Sequence, residues 1–261
     1  MNFKRKVRNI FSQWVRYFRI SYIEAKATQS GAHLGVLWLP LSSIIFSIML
    51  ALVFKHSDEV SRFNFFLYVF SGYSLWGVVS DMFTKSVDVI QTKWDFAVHN
   101  KLTLPGLFAK QLSDKMFEYI LNVICIFIII SIFSPAYLSA SIFLFAPLIV
   151  LVSLTYISGA YIINILTIFY PDLKTLVRMG ARFLFFVSPV FWIASGETDG
   201  IRSALVYYNP ISYYLSLPRQ AVGVEPVILW NWLIAGVMTC LITLSGWALY
   251  HYTNRFVRNL K

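Results

Sequence analysis

The sequence predicts an all-α polytopic membrane protein. It has an N-terminal amphipathic interfacial helix, six transmembrane helices, and broken re-entrant helices before the last span. Three observations lead there. Hydrophobic residues make up 58% of the 261 and charged residues only 13%, against soluble averages of roughly half and a quarter. Several apolar runs exceed the roughly 18 residues that mark a spanning helix. The Lys and Arg residues gather between those runs, where the positive-inside rule expects them. A closed barrel would show short alternating segments instead, so the chain reads as one transmembrane domain over 1–261.

Residues 1–30 read as the interfacial helix. Phe3, Val7, Ile10, Phe11, Trp14, Phe18 and Tyr22 recur at three- and four-residue spacing and share one face, with Lys4, Arg5, Arg8, Arg16 and Arg19 mostly off it. Tyr22 to Leu41 joins this helix to the first span, and no charge follows His33 until Lys55. Gly31 and Gly35 sit in this stretch, where a backbone turn explains them better than a helix-contact motif.

The expected spans are 34–54, 63–83, 116–133, 141–169, 176–193 and 227–250. A charged turn, Lys55 to Glu59, separates the first two. A polar connection over 84–115 precedes the third, and Ser134-Pro135-Ala136 turns the chain into the fourth. Pro147 is the expected kink point of that long fourth span. Residues 194–226 open on Ser195, Gly196, Glu197 and Asp199. They continue as two apolar pieces too short to span, separated by Asn209-Pro210. Two short helices dipping into the outer leaflet fit them.

Orientation follows from the basic residues. With both termini in the cytoplasm, eighteen of the 22 Lys and Arg fall on the inner side; only Lys55, Arg62, Arg202 and Arg219 fall outside. The net charge of +10 is therefore explained by topology, not by a nucleic-acid partner. Arg16 and Arg19 interrupt the first apolar stretch, so no signal peptide is expected. Asn-x-Ser/Thr is absent. Cys125 and Cys240 lie in apolar runs and read as packing residues.

Catalytic motifs are missing. There is no Gly-Lys dipeptide, hence no phosphate-cradling P-loop, and no His-Glu-x-x-His or Gly-x-Ser-x-Gly. The four histidines are scattered on different segments, so no metal site is expected. Asp81, Glu118 and Arg182 lie toward the cytoplasmic ends of their spans, which leaves the centres without an ionisable group. Ion-coupled carriers usually keep such a group at mid-membrane. The 23 Phe, 15 Tyr and 8 Trp are first of all interfacial belts and lipid-facing bulk. Some can line a path for a carbohydrate, and the candidates are Trp38, Tyr68, Tyr73, Trp76, Phe191, Trp192, Tyr207, Tyr208, Tyr213 and Tyr214.

Several local patterns occur in a telling order. Glu24-Ala25-Lys26 leads to Leu34-Gly35 and Trp38, and Asn100-Lys101-Leu102-Thr103-Leu104-Pro105 lies in the polar connection. Tyr170-Pro171-Asp172-Leu173 precedes Phe185 to Trp192, and Asn209-Pro210 precedes Arg219-Gln220-Ala221. With the predicted architecture, this set resembles the membrane subunit of type-2 ABC exporters, in the branch that exports lipid-linked polysaccharides such as O-antigen, capsule and teichoic acid. The resemblance covers nearly the whole chain. It implies a bacterial cytoplasmic-membrane permease working as a homodimer with two copies of a separate ATPase. The chain itself would carry no cofactor, with ATP and magnesium on the ATPase. It implies ATPase docking through Asn100, Lys101 and Leu102. Thr28, Gln29, Ser30 and Gly31 stand where the family has basic and aromatic residues. The substrate-access role thus passes to Arg16, Arg19, Lys26 and His33 beside the Leu34-Gly35 turn. The other readings are a type-2 permease for a lipid or drug, an ion-coupled carrier, and a membrane glycosyl- or acyltransferase.

Overall fold

The computed structural model describes residues 2–54, 61–193 and 200–258, and among these it is all-helical. The expected turn at Lys55 to Glu59 and the opening Ser195 to Asp199 lie outside the described residues. The helices are α1 (Asn2–Thr28), α2 (Trp38–Phe54), α3 (Arg62–Lys85), α4 (Val89–His99) and α5 (Leu104–Phe133), then α6 (Phe145–Phe169), α7 (Leu173–Val187), α8 (Gly200–Tyr208), α9 (Pro210–Val222) and α10 (Leu229–Arg258). Among the described residues, four stretches are long and apolar enough to cross a membrane: Gly35–Phe54, Leu104–Phe133, Ala140–Phe169 and Leu229–Thr253.

The bundle is built round α3. Thirteen of its 24 residues are buried, including Leu67, Val69, Phe70 and Leu75. It packs against α2, α5, α6, α7 and α9. Ser61 starts it by accepting a hydrogen bond from the Asn64 amide at 3.1 Å. α10 runs along α6, and the close crossing requires Gly246, where a Cβ would stand 2.9 Å from that of Ser158.

Several helix boundaries differ from expectation. α5 starts at Leu104, twelve residues before 116, because Thr103 caps it by accepting from the Gly106 amide and Pro105 sits in its first turn. The connection over 84–115 therefore holds a 3-10 turn (Ser86–Asp88), α4 and the start of α5. Pro147 lies close to the passage from the 3-10 turn Ala140–Leu144 into α6. It occupies the first turn of α6, where no hydrogen bond is lost. α7 stops at Val187, before Ser188-Pro189, and α10 continues past 250 to Arg258. The segment before α10 does hold two short helices broken at Asn209, whose side chain accepts from the Ile211 amide at 3.0 Å and donates to Ser188 at 2.8 Å.

Candidate functional site

Two polar assemblies mark opposite ends of α3. The first joins α1 to the start of α5. Tyr17 and Ser21, one turn apart, are buried on the same face of α1. Tyr17 needs Gly106 opposite, since a Cβ there would lie 2.9 Å from its hydroxyl. Burial pushes the Tyr17 phenol up, with the Arg16 charge opposing. Ser21 donates to Asp114 at 2.7 Å. The Lys110 ammonium, with its side chain only 4% exposed, bridges Glu24 and Asp114 at 2.5 Å each. The Phe96 ring of α4 lies 5.8 Å from the same ammonium. One lysine thus ties together α1, α4 and α5.

The turn from α4 to α5 meets the same assembly. Asn100 donates from its side chain to the Phe96 carbonyl, and Lys101 adopts φ 52°, the left-handed conformation that ends many helices. Leu102 then closes the turn by donating to the Ala97 carbonyl at 2.8 Å. Arg16 of α1 donates to the Asn100 carbonyl at 3.2 Å. One expected access residue and one expected docking residue are therefore in direct contact. Arg19, Lys26 and His33 are exposed, and among the described residues none is bonded to Arg16 or to another of the three. Gly31 (φ 95°) and Gly35 (φ 50°) both occupy the left-handed region in the turn before α2, with Leu34 exposed between them.

The second assembly is centred on Arg219 of α9. Although 1% exposed, it carries a charge that has to be met inside the protein. It donates to the carbonyls of Tyr68 (3.3 Å), Pro189 and Val190 (3.4 Å), and pairs with Glu225 at 3.6 Å. Its guanidinium carbon lies 3.5 Å above the Tyr68 ring. Gly72 gives it room, one turn along α3 from Tyr68. Burial pushes the Glu225 carboxyl up, and the Arg219 charge pulls it back only in part. A cavity of about 210 Å³ with a mixed lining opens beside the cage, bounded by Ile193, Val206, Ser212, Ser216, Glu225 and Asn231 among others.

The aromatic candidates divide by exposure. Tyr68, Trp76, Phe191 and Tyr214 are buried in the bundle. Trp76 packs on Phe185, Phe191 on Phe54, and Tyr214 donates to the Ala235 carbonyl. Tyr73 and Trp192 are half-buried, as is Tyr213, which donates to the Tyr207 carbonyl. Trp38, Tyr207 and Tyr208 are exposed. A sugar ring can reach only the second and third groups without repacking.

Two further features were not anticipated. Asp81 is buried, held by the Tyr156 hydroxyl at 2.6 Å and by Lys85 at 2.7 Å. An apolar cavity of about 300 Å³ lies between α3, α6, α7, α9 and α10, lined by Val78, Met82, Val152, Leu184, Met238 and Ile242 among others. Arg219 itself was read from the sequence as one outer-side charge and as part of the Arg219-Gln220-Ala221 pattern, not as a buried residue. The available signal was an arginine inside an otherwise uncharged stretch from Ser203 to Gly223. Among the described residues no group of His, Cys, Asp and Glu is placed to hold a metal. No known family model matches the chain, and no curated protein matches its sequence.

Proposed function

We propose that the chain is the membrane subunit of an ABC exporter for a lipid-linked polysaccharide in a bacterial cytoplasmic membrane. In this reading it forms a homodimer, pairs with two copies of a separate ATPase, and crosses the membrane six times with both termini inside. The observation that carries it is the bond from Arg16 to the Asn100 carbonyl. It links the helix expected to receive an anionic lipid headgroup to the turn expected to meet a motor.

The division of the two ends also supports the reading. About 25 Å along α3, from Lys85 to Tyr68, separates the α1–α5 junction from the broken helices α8 and α9. The purified chain should hydrolyse no ATP, and its deletion should remove surface polysaccharide while leaving cell growth on other carbon stores intact. ATP hydrolysis by this chain alone, with contaminants excluded, overturns the subunit reading. The apolar cavity favours one other reading, a type-2 permease for a lipid or drug. Surface polysaccharide unchanged on deletion selects it.

A further inference from the structure

α2 meets the bundle through small residues. It buries Pro40, Ser43 and Ser47, and Ala51 packs half-buried one turn further on. Ser43, Ser47 and Ala51 follow at four-residue intervals and so share a face. On α5, Tyr119 and Asn122 lie one turn apart, each 2% exposed. The two helices run parallel: Leu39 lines one cavity with Phe117 and Glu118, and the Asn122 amide donates to the Ser43 hydroxyl at 3.4 Å. That bond is at the limit of its range. Ser43 in turn donates to the Leu39 carbonyl, also at 3.4 Å. Among the described residues the Ser47 hydroxyl, the Asn122 side-chain carbonyl and the Tyr119 hydroxyl meet no hydrogen-bond partner. Unmet groups of this kind destabilise a buried contact, most of all inside a membrane-spanning bundle.

The seat is repeated along α2. Sliding the helix by four residues toward α1, about 6 Å, puts Ser47 in the place of Ser43 and Ala51 in the place of Ser47. Asn122 regains a serine partner, Ser43 comes level with Tyr119, and a methyl group replaces the unmet hydroxyl. The neighbouring helix accepts the same step. The Phe46 ring now lies 4.7 Å from that of Tyr73 on α3. Phe63 at the start of α3 meets Phe133 at the end of α5, so α3 runs antiparallel to both α2 and α5. The slide therefore carries Phe46 level with Gly77, where a Cβ would meet only the end of the Lys115 side chain. Leu50 then takes the place beside Tyr73. Lys110 keeps α1 on α5, so the step has to be absorbed between Thr28 and Trp38. Gly31 and Gly35 stand in that connection, both in the left-handed region.

We propose that α2 has two seats on α5, one helical turn apart, with Asn122 bonded to Ser43 in the first and to Ser47 in the second. The structure holds the first. Packed helices switch between discrete arrangements, and a one-turn step past a neighbour is one form of that switch. The inference does not depend on the export reading. Ser43, Ser47 and Asn122 are buried inside a single chain, so the clasp needs no second copy.

Disulfide trapping in the full chain, reconstituted in nanodiscs, separates the seats. Cys125 and Cys240 are first replaced by alanine. Phe46→Cys with Tyr73→Cys reports the first seat, and Leu50→Cys with Tyr73→Cys reports the second. Cysteines whose Cα atoms stand more than about 7 Å apart cannot be bridged, so a one-turn step decides which pair closes. Under mild oxidation both pairs should close within the chain, the second more slowly. Ser43→Ala should raise the ratio of second to first about tenfold, and Ser47→Ala should lower it about tenfold, the scale of one buried hydrogen bond. Serines that only pack would move both pairs alike. A second pair that never closes, a ratio that does not move in opposite directions in the two serine variants, or a second pair that closes only between two copies each overturns the second seat.

Discussion

Gly72 and Arg219 are complementary: a Cβ at position 72 would stand 2.6 Å from a terminal guanidinium nitrogen of the arginine. The residues are far apart in sequence, and each explains the other. An arginine can be buried at the broken helices only because α3 is bare of a side chain one turn below Tyr68. Gly72→Ala should force the guanidinium off its carbonyls and cost about 1–3 kcal/mol, as overpacking does. Arg219→Lys should cost a similar amount, since one ammonium cannot replace the fork across three carbonyls. Thermal unfolding in detergent checks both, and a Gly72→Ala variant as stable as wild type removes the cage from the stability argument.

The same cage sets a pH dependence. Glu225 has its carboxyl raised by burial, so the folded protein holds that proton more tightly than the unfolded chain does. Its contribution is fully present below the ordinary carboxylate pKa and is lost as pH rises through the raised value. Glu225→Gln should lack that slope. The measurement is the melting-temperature difference between wild type and variant across the acid range, and parallel curves would contradict it.

Lys110 holds α1 on the bundle. Lys110→Met leaves Asp114 and Glu24 facing each other without their cation. Glu24 is half exposed and so partly screened. The loss should be about 1–3 kcal/mol, below the full value for a buried pair. It should fall on α1 first. Hydrogen exchange over residues 12–28 should speed up while α3 stays protected, and uniform exchange across both helices would argue against a local latch.

Lys101 sits at a left-handed φ with a full side chain. Left-handed geometry costs a non-glycine residue roughly 1–2 kcal/mol. Lys101→Gly should therefore raise stability by about 1 kcal/mol, less the entropy glycine brings to the unfolded chain. Lys101→Ile should lower it. If the lysine also contacts an ATPase, the glycine variant will be more stable yet export less, a combination that a purely structural lysine does not give.

Gly35 separates backbone need from space. A Cβ there meets nothing within 4 Å, so only its φ of 50° favours glycine. Gly35→Asn should be tolerated, because asparagine accepts the left-handed region, whereas Gly35→Leu should disrupt the turn and with it export. Surface polysaccharide at matched expression is the readout. Wild-type export by the leucine variant would remove this turn from the substrate path.

Legibility in the sequence followed the range of the interaction. Helix class and long apolar stretches are local properties, and composition and run length displayed them. The start of α5 was equally local, yet Lys110, Asp114 and Lys115 depress the hydropathy of its first turns and hid the signal from Thr103 and Pro105. The sites were harder. The Arg16–Asn100 bond joins positions 84 apart, and the arginine is indistinguishable in sequence from its neighbours Arg8 and Arg19. The Arg219 cage was hidden for another reason. Charge counting treats every arginine outside a span as a topology marker, and only packing reveals one that is enclosed. Aromatic content misled in the same way, since a ring that seals a core and a ring that meets a ligand look alike until burial is known.

The length of α5 has a mechanical meaning. Its thirty residues make a rod about 45 Å long, and after Pro105 and Gly106 it contains neither proline nor glycine, the usual places for a helix to bend. A rod without a joint stores little elastic energy and passes on displacement undiminished. Any shift imposed at Leu104 therefore arrives at Phe133 as a shift of comparable size, and the compliance of the system resides in the two turns at its ends.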